Sequence, residues 1–388
     1  MQTSCRSGRG TSLRELALVF FKLGTTAFGG PAAHIAMMEH EVVRRRGWLT
    51  RETFLDYVGA TNLIPGPNST ELAIHIGHAR AGWTGLLVAG LAFIVPATLI
   101  VTAAAWAYVR YGALPEVAGL LYGVKPVMIA VVGQALLRLG RTAIKTAALA
   151  LLGVIAIVAV GAGVHELLVL AGAGVVMAAT TVTRSHVSRA PGPLLAGIAS
   201  LSGGGVAAMT AAPAVVAHGL WPLFLVFAKA GAVLYGSGYV LLAFLRADLV
   251  ERLGWLSEGQ LLDAIAIGQV TPGPVFTTAT FIGYVLGGPA GAAVSTLGIF
   301  LPAFVFVALS GPLVPRIRRS MVAGAALDGV NVASLALMAT VAWPLARAAL
   351  VDATTVGLAV ASIVALTKFR VNSAWLIGVG GVLGWFLR

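Results

Sequence analysis

Pro65-Gly66-Pro67-Asn68-Ser69-Thr70 and, 207 positions later, Pro272-Gly273-Pro274-Val275-Phe276-Thr277 are one interruption written twice. At the same offset Phe20, Lys22, Gly24, Gly29, Arg45, Gly47, Trp48, Leu49 and Asp56 meet identical residues at Phe227, Lys229, Gly231, Gly236, Arg252, Gly254, Trp255, Leu256 and Asp263. One residue is then dropped, and Gly77, Gly82, Gly85, Pro96, Gly123 and Arg141 meet Gly283, Gly288, Gly291, Pro302, Gly329 and Arg347. A duplicated apolar unit whose shared residues are mainly Gly, Pro and a few charges is the pattern of a transporter built from two repeats around a midplane site.

Composition fixes the environment of this duplication. The 388 residues are 58% hydrophobic and only 10% charged, whereas a soluble globular chain is about a quarter charged. Apolar runs able to cross roughly 30 Å of hydrocarbon lie near 84–109, 116–137, 146–163, 165–182, 194–217, 288–310, 321–343, 353–367 and 371–387, which predicts nine crossings in an all-α polytopic membrane protein. Residues 1–12 are polar and basic without an adjacent apolar core and small-residue cleavage site, so they read as a cytoplasmic tail and not as a cleaved leader. Residues 13–183 and 219–388 are the expected repeats, joined by 184–218, which holds an extra crossing without a counterpart before the first copy. Cys5 is the sole cysteine, so no internal disulfide or thiolate metal cluster is expected, and no cofactor. The net charge of +12 is dispersed among short loops, which points to membrane orientation and away from nucleic acid.

The loop charges also give the direction of each copy. Arg44, Arg45, Arg46, Arg51, Arg80, Arg138, Arg141 and Lys145 mark loops of the first copy whose equivalents in the second are mostly neutral or mixed (Asp248, Glu251, Leu286, Asp352). Basic residues of the second copy instead stand at Arg316, Arg318, Arg319, Lys368 and Arg370. The swap predicts inverted-topology repeats, with the N-terminus inside and the C-terminus outside.

Both early segments of each copy must break. Phe28-Gly29-Gly30-Pro31 interrupts 16–38 and Pro65-Gly66-Pro67 interrupts 54–76. Proline removes a backbone donor and glycine tolerates unusual angles, while unpaired peptide groups at membrane depth are tolerated only inside protein or beside a wet cavity. Re-entrant hairpins therefore follow, with their tips inward. Helices restarting at Asn68-Ser69-Thr70 and at Phe276-Thr277-Thr278 point free N–H groups and a positive dipole end at an anion. Lys22 and Lys229, at equivalent places in the inverted copies, would flank the common axis. They serve either an anion or the headgroup boundary by snorkelling.

Glu71 follows the first turn and has no acidic equivalent. It either exchanges a proton or pairs with Lys22 or Arg80. Asp56 and Asp263 read as local caps or pairs, and Glu41 with Arg45 and Asp248 with Arg252 have the i,i+4 spacing of surface ion pairs. The Gly-Trp-Leu that follows each suggests an interface element anchored by Trp48 or Trp255. His34, His75 and His78 read as packed or proton-linked, since no third ligand cluster accompanies them. Lys125 has Asn331 as its equivalent and reads as interior positive potential or an interfacial anchor. No HExxH, P-loop, nucleophile elbow or dinucleotide turn is present, so an enzyme has little support.

FGGPAAHIAMMEHEVVRRRGWL, NLIPGPNSTELAIHIGHARAG, YGSGYVLLAFLRADLVERLGWL and GQVTPGPVFTTATFIGY together resemble the chromate ion transporter family in its long, two-domain form. The resemblance implies an inner-membrane secondary transporter of chromate, usually outward for resistance, with sulfate as its chemical mimic. It maps the family's Gly and Pro motifs onto Gly29, Gly30, Pro31 and the two turns centred on Gly66 and Gly273. Tyr235-Gly-Ser-Gly238 in place of Phe-Gly-Gly-Pro makes unequal contributions from the two copies the expectation. The implied partners are the oxyanion, a coupled proton or counter-anion, the lipid bilayer and, in a homodimer, a second copy. A passive anion channel and a membrane-embedded lipid-processing enzyme are the competing classes.

Overall fold

A computed structural model describes residues 12–28, 30–112, 114–187, 219–235, 240–310, 320–369 and 371–387. The linker stretch 194–217, expected to cross the membrane, lies outside them, as does Gly29. Among the described residues the first copy comprises α1 (Leu13–Thr26), α2 (Gly30–Glu39, continuing as a π-helical turn His40–Arg45), α3 (Arg51–Thr61), α4 (Asn68–Tyr111), α5 (Pro115–Ala143), α6 (Ala147–Gly161) and α7 (Glu166–Val187). The second comprises α8 (Leu220–Val233), α9 (Leu241–Leu245, continuing as a π-helical turn Arg246–Arg252), α10 (Glu258–Val270), α11 (Thr278–Ser310), α12 (Met321–Ala349), α13 (Ala353–Thr367) and α14 (Ser373–Leu387).

Local sequence explains the starts. Ser12, Thr50 and Thr146 accept hydrogen bonds from the third residue of the helices they cap, and Ser257 and Asp352 form reciprocal capping boxes with Gln260 and Thr355. The first two hairpins return to the side they left. Glu15 at the start of α1 meets Arg46 at 3.5 Å, beyond the end of α2. Arg80 donates to the Trp48 carbonyl at 3.1 Å, just before α3 begins. The rings of Tyr57 and His75 stack between the legs of the second hairpin.

A straight 44-residue α4 would be about 66 Å long, twice the hydrocarbon thickness. It folds back at Ala81-Gly82, where Gly82 takes a φ of +59°, and α11 does so at Gly287-Gly288, where Gly288 has φ +61°. The legs then press together through Gly77 and Gly85, and through Gly283 and Gly291, with no room for a β-carbon at any of the four. The second legs, 83–111 and 289–310, are each long enough to cross the hydrocarbon. Among the described residues five helices, α4, α5, α7, α11 and α12, are apolar and long enough to cross a membrane. The outer faces carry Leu99, Val158, Trp343 and Phe386, each more than 60% exposed, a surface suited to lipid and not to water.

The copies are interlocked and inverted. Each central helix packs on the last two helices of the other copy: α5 on α13 and α14, and α12 on α6 and α7. The equivalent helices α5 and α12 run antiparallel, because Lys145 beyond the end of α5 pairs with Asp328 near the start of α12, while Tyr122 near the start of α5 donates to Asp352 beyond the end of α12. Asp352 is exposed, and the Tyr122 hydroxyl followed by the Thr355 amide holds its carboxyl below the usual range. Gly119 and Gly123 of α5 meet Gly380 and Gly384 of α14 backbone to backbone, the close approach that small residues permit between membrane helices. Gly123→Ala would drive its β-carbon into the Gly380 carbonyl, with Gly384 Cα at 2.7 Å. It should cost about 1–3 kcal/mol and lower the unfolding temperature in detergent, whereas Gly133→Ala, inside the same helix with nothing within 4 Å, should not lower it.

Candidate functional site

The two Pro-Gly-Pro turns are built into each other's copy. The Gly66 N–H donates to the Leu234 carbonyl at 2.8 Å, and the Gly273 N–H donates to the Ala27 carbonyl at 3.0 Å. Ala27 and Leu234 are the last residues before the breaks of α1 and α8 and are equivalent in the repeat. One peptide N–H of each turn and one carbonyl of each break are thus satisfied across the two copies, the kind of pairing an interruption within a membrane needs. Gly66 has φ +135° and Gly273 φ +92°, values that disfavour any side chain.

Past Pro67, the amides of Thr70 and Glu71 bond to the Pro67 carbonyl at 2.8 and 3.0 Å. The first-turn amides ahead of them have no intrahelical acceptor. Beside this helix start lies a cavity of about 280 Å³, lined by Thr61, Asn62, Asn68, Tyr235, Asn331, Ser334, Lys145 and Asp328. At about 30 Å³ per water, it has room for a small hydrated anion. Asn68 donates to the Asn62 amide oxygen at 2.8 Å, Lys145 meets Asp328 at 2.7 Å, and the buried Ser334 hydroxyl has no hydrogen-bond partner among the described residues. Amide, hydroxyl and ammonium groups are the donors a tetrahedral oxyanion needs.

Pseudo-symmetry supplies a second cavity, of about 290 Å³, lined by Tyr108, Tyr122, Lys125 and Asp263. Tyr108 donates to Asp263 at 2.9 Å, and Lys125 reaches the same carboxylate at 3.2 Å. Asp263 therefore does not pair locally as its sequence position suggests: it ties α10 of the second copy to α4 and α5 of the first. The first cavity touches α5 at Leu139–Ala143 and the second at Ala118–Lys125. From Leu121 to Thr142 the helix rises about 32 Å, so the two cavities sit at opposite ends of one crossing.

Glu71 is fully buried against Gly66, and neither carboxylate oxygen has a hydrogen-bond partner among the described residues. The ion-pair reading of this residue fails, because Lys22 is taken by Glu41 at 3.0 Å and Arg80 by the Trp48 carbonyl. The nearest equivalent, Thr278, closes on the Val275 carbonyl at 2.8 Å. Among the described residues Glu71 is thus a fully buried carboxyl without an ion-pair partner.

The other expected residues are placed as follows. Lys22 lines a separate cavity with Glu41 and Arg45, not the one at the turn. Lys229 is bound by Asp248 at 3.0 Å and Glu166 at 3.2 Å. Gly30 opens α2 with φ +79°, and an added β-carbon there would meet nothing within 4 Å. The pairs Glu41–Arg45 and Asp248–Arg252 form at 3.1 and 2.7 Å. Trp48 is covered by the guanidiniums of Arg46 and Arg80. His34 is buried with Nε2 on the Ala27 carbonyl, and His75 and His78 pack on Tyr57 and Trp83. Sequence reasoning missed Lys145, Asp328 and Ser334 as partners in one cavity. Its nearest signals were the Asn331 exchange for Lys125 and the departure at Tyr235.

The model of the family described as "Chromate transporter" matches this chain twice, over residues 14–178 and 221–385. A "Chromate transport protein" of Cupriavidus metallidurans is 32% identical over 388 residues, covering 96% of this chain and 92% of that one. One from Pseudomonas aeruginosa is 31% identical over 391 residues, covering 97% and 92%. A "Probable chromate transport protein" of Synechococcus elongatus is 29% identical over 352 residues, covering 89% and 87%. No solved structure matches the chain. Two matched halves that coincide with the interlocked copies make this multi-pass membrane protein a member of the chromate transporter family.

Proposed function

We propose that the chain is a secondary active transporter that carries chromate outward across the inner membrane, with sulfate as mimic or counter-substrate. The observation that carries this reading is the polar cavity at the start of α4, where donors converge on a helix N-terminus beside a buried lone carboxyl. The anion is held by the first-turn amides near Asn68, the amide of Asn62 and the ammonium of Lys145, which leaves Asp328 as it arrives. Gly66 and Gly273 keep the tips close enough for backbone donors to reach it. Glu71 exchanges the coupled proton. The side carrying Arg44–Arg46, Arg80 and Lys145 faces the cytoplasm, which puts the N-terminus inside and the C-terminus outside. The cavity at Lys125 then opens on the far side.

Purified protein in liposomes, assayed for chromate, sulfate and proton flux, tests substrate, direction and coupling together. Lys145→Gln should raise the KM for chromate about tenfold, the lower part of the range for a charged hydrogen bond, because the side chain is half exposed. An unchanged KM removes Lys145 from the site. Ion currents far above carrier turnover would replace the carrier with a channel.

A further inference from the structure

The duplication provides an internal control for charge. In the second copy Lys229 and Arg252 are matched by two acids, Asp248 and Glu166, the latter contributed by α7. In the first copy one buried carboxylate, Glu41, serves Lys22 at 3.0 Å, Arg45 at 3.1 Å and Arg46 as well, and among the described residues only Arg46 of the three has a second acid, Glu15, at 3.5 Å. Among the described residues no acid stands over Lys22 as Glu166 stands over Lys229. The Lys22 side chain is accordingly 56% exposed, against 22% for Lys229, while Arg45 and its equivalent Arg252 are both about half exposed. Lys22 and Arg45 open into a cavity of about 500 Å³ that also holds His40 and has Leu23, Ala36 and Met37 in its wall. Phe21 and Leu18, on the same helix, are exposed.

We infer that this cavity is a binding site for a tetrahedral phosphate-type anion at the membrane interface, with Lys22 and Arg45 as its cationic ligands and Glu41 holding them in place. Two cations sharing one carboxylate keep unmatched charge, and an anion with oxygens on several sides can meet both at once. The apolar wall and the exposed Phe21 suit a phosphate carried on an acyl chain, and the basic loops on this side attract anionic lipid. The site is separate from the cavity at the first Pro-Gly-Pro turn and stands whether or not that cavity carries chromate.

The full chain in neutral detergent is titrated with phosphatidylglycerol, with phosphatidylcholine and with inorganic sulfate, while its thermal unfolding and the lipid retained in native mass spectra are followed. Phosphatidylglycerol should raise the unfolding temperature by about 2–4 °C and be retained about tenfold more than phosphatidylcholine. His40→Glu, which leaves the three ion pairs of Glu41 in place and supplies the missing acid, should abolish both effects, and Lys22→Gln should do the same. An effect of sulfate equal to that of phosphatidylglycerol, lost in the same variants, would identify the ligand as the free oxyanion and would still uphold the site. Equal retention of the two lipids with no effect of sulfate, or phosphatidylglycerol binding unchanged in His40→Glu, would overturn it.

Discussion

Gly273→Ala and Gly66→Ala proteins should reach the membrane and lose transport. At Gly273 an added β-carbon would collide with the Ala97 methyl and stand 3.0 Å from the Gly24 carbonyl, in a backbone held at φ +92°. Neither neighbour is the far end of a flexible side chain, so the turn or α1 must shift. Backbone strain of about 1–3 kcal/mol, at a tenfold change per 1.4 kcal/mol, lowers flux by about 5- to 150-fold before any loss of anion geometry. At Gly66 the collision is instead with the Glu71 carboxylate, at φ +135°. Gly66→Ala should therefore also disturb coupling, and Gly66→Ala combined with Glu71→Ala should recover part of the uncoupled flux. Initial rates per reconstituted protein measure this. Full activity of Gly273→Ala would detach the turn from the transport path.

Replacing Glu71 by Gln removes the charge and keeps the shape, so folding should survive. If Glu71 exchanges the coupled proton, chromate accumulation driven by a pH gradient falls to the passive level and the dependence of flux on pH flattens, while counter-exchange of chromate for sulfate continues. Among the described residues the buried carboxyl has no hydrogen-bond partner, and the place equivalent to it holds the neutral Thr278, so the two copies differ in chemistry here. A pH profile identical to that of the unmodified chain would leave Glu71 with packing alone.

Much of the architecture was legible because its causes are local. Proline at 65, 67, 272 and 274 and glycine between them forbid continuous helix whatever surrounds them. The hairpins followed from charges that had to share a side, and contacts such as Glu15 with Arg46 have that geometry. The exchange of partners between copies was not legible. Gly66 could have been capped within its own repeat, and only packing gives it the Leu234 carbonyl. Asp263 looked like a local cap until α10 was seen against α4 and α5.

The sequence by itself determined the duplication, the opposite orientation of its halves, the broken helices and the membership of a transporter family, because repeat register, backbone preference and loop charge act over a few residues. The tertiary structure alone decided which side chains share a cavity. Lys145 and Asp328 meet across 183 positions of chain, Lys22 is drawn to Glu41 and away from the turn, and Glu71 has no hydrogen-bond partner among the described residues. Partner choice at such separations follows from how helices of different copies pack, and no local pattern encodes that.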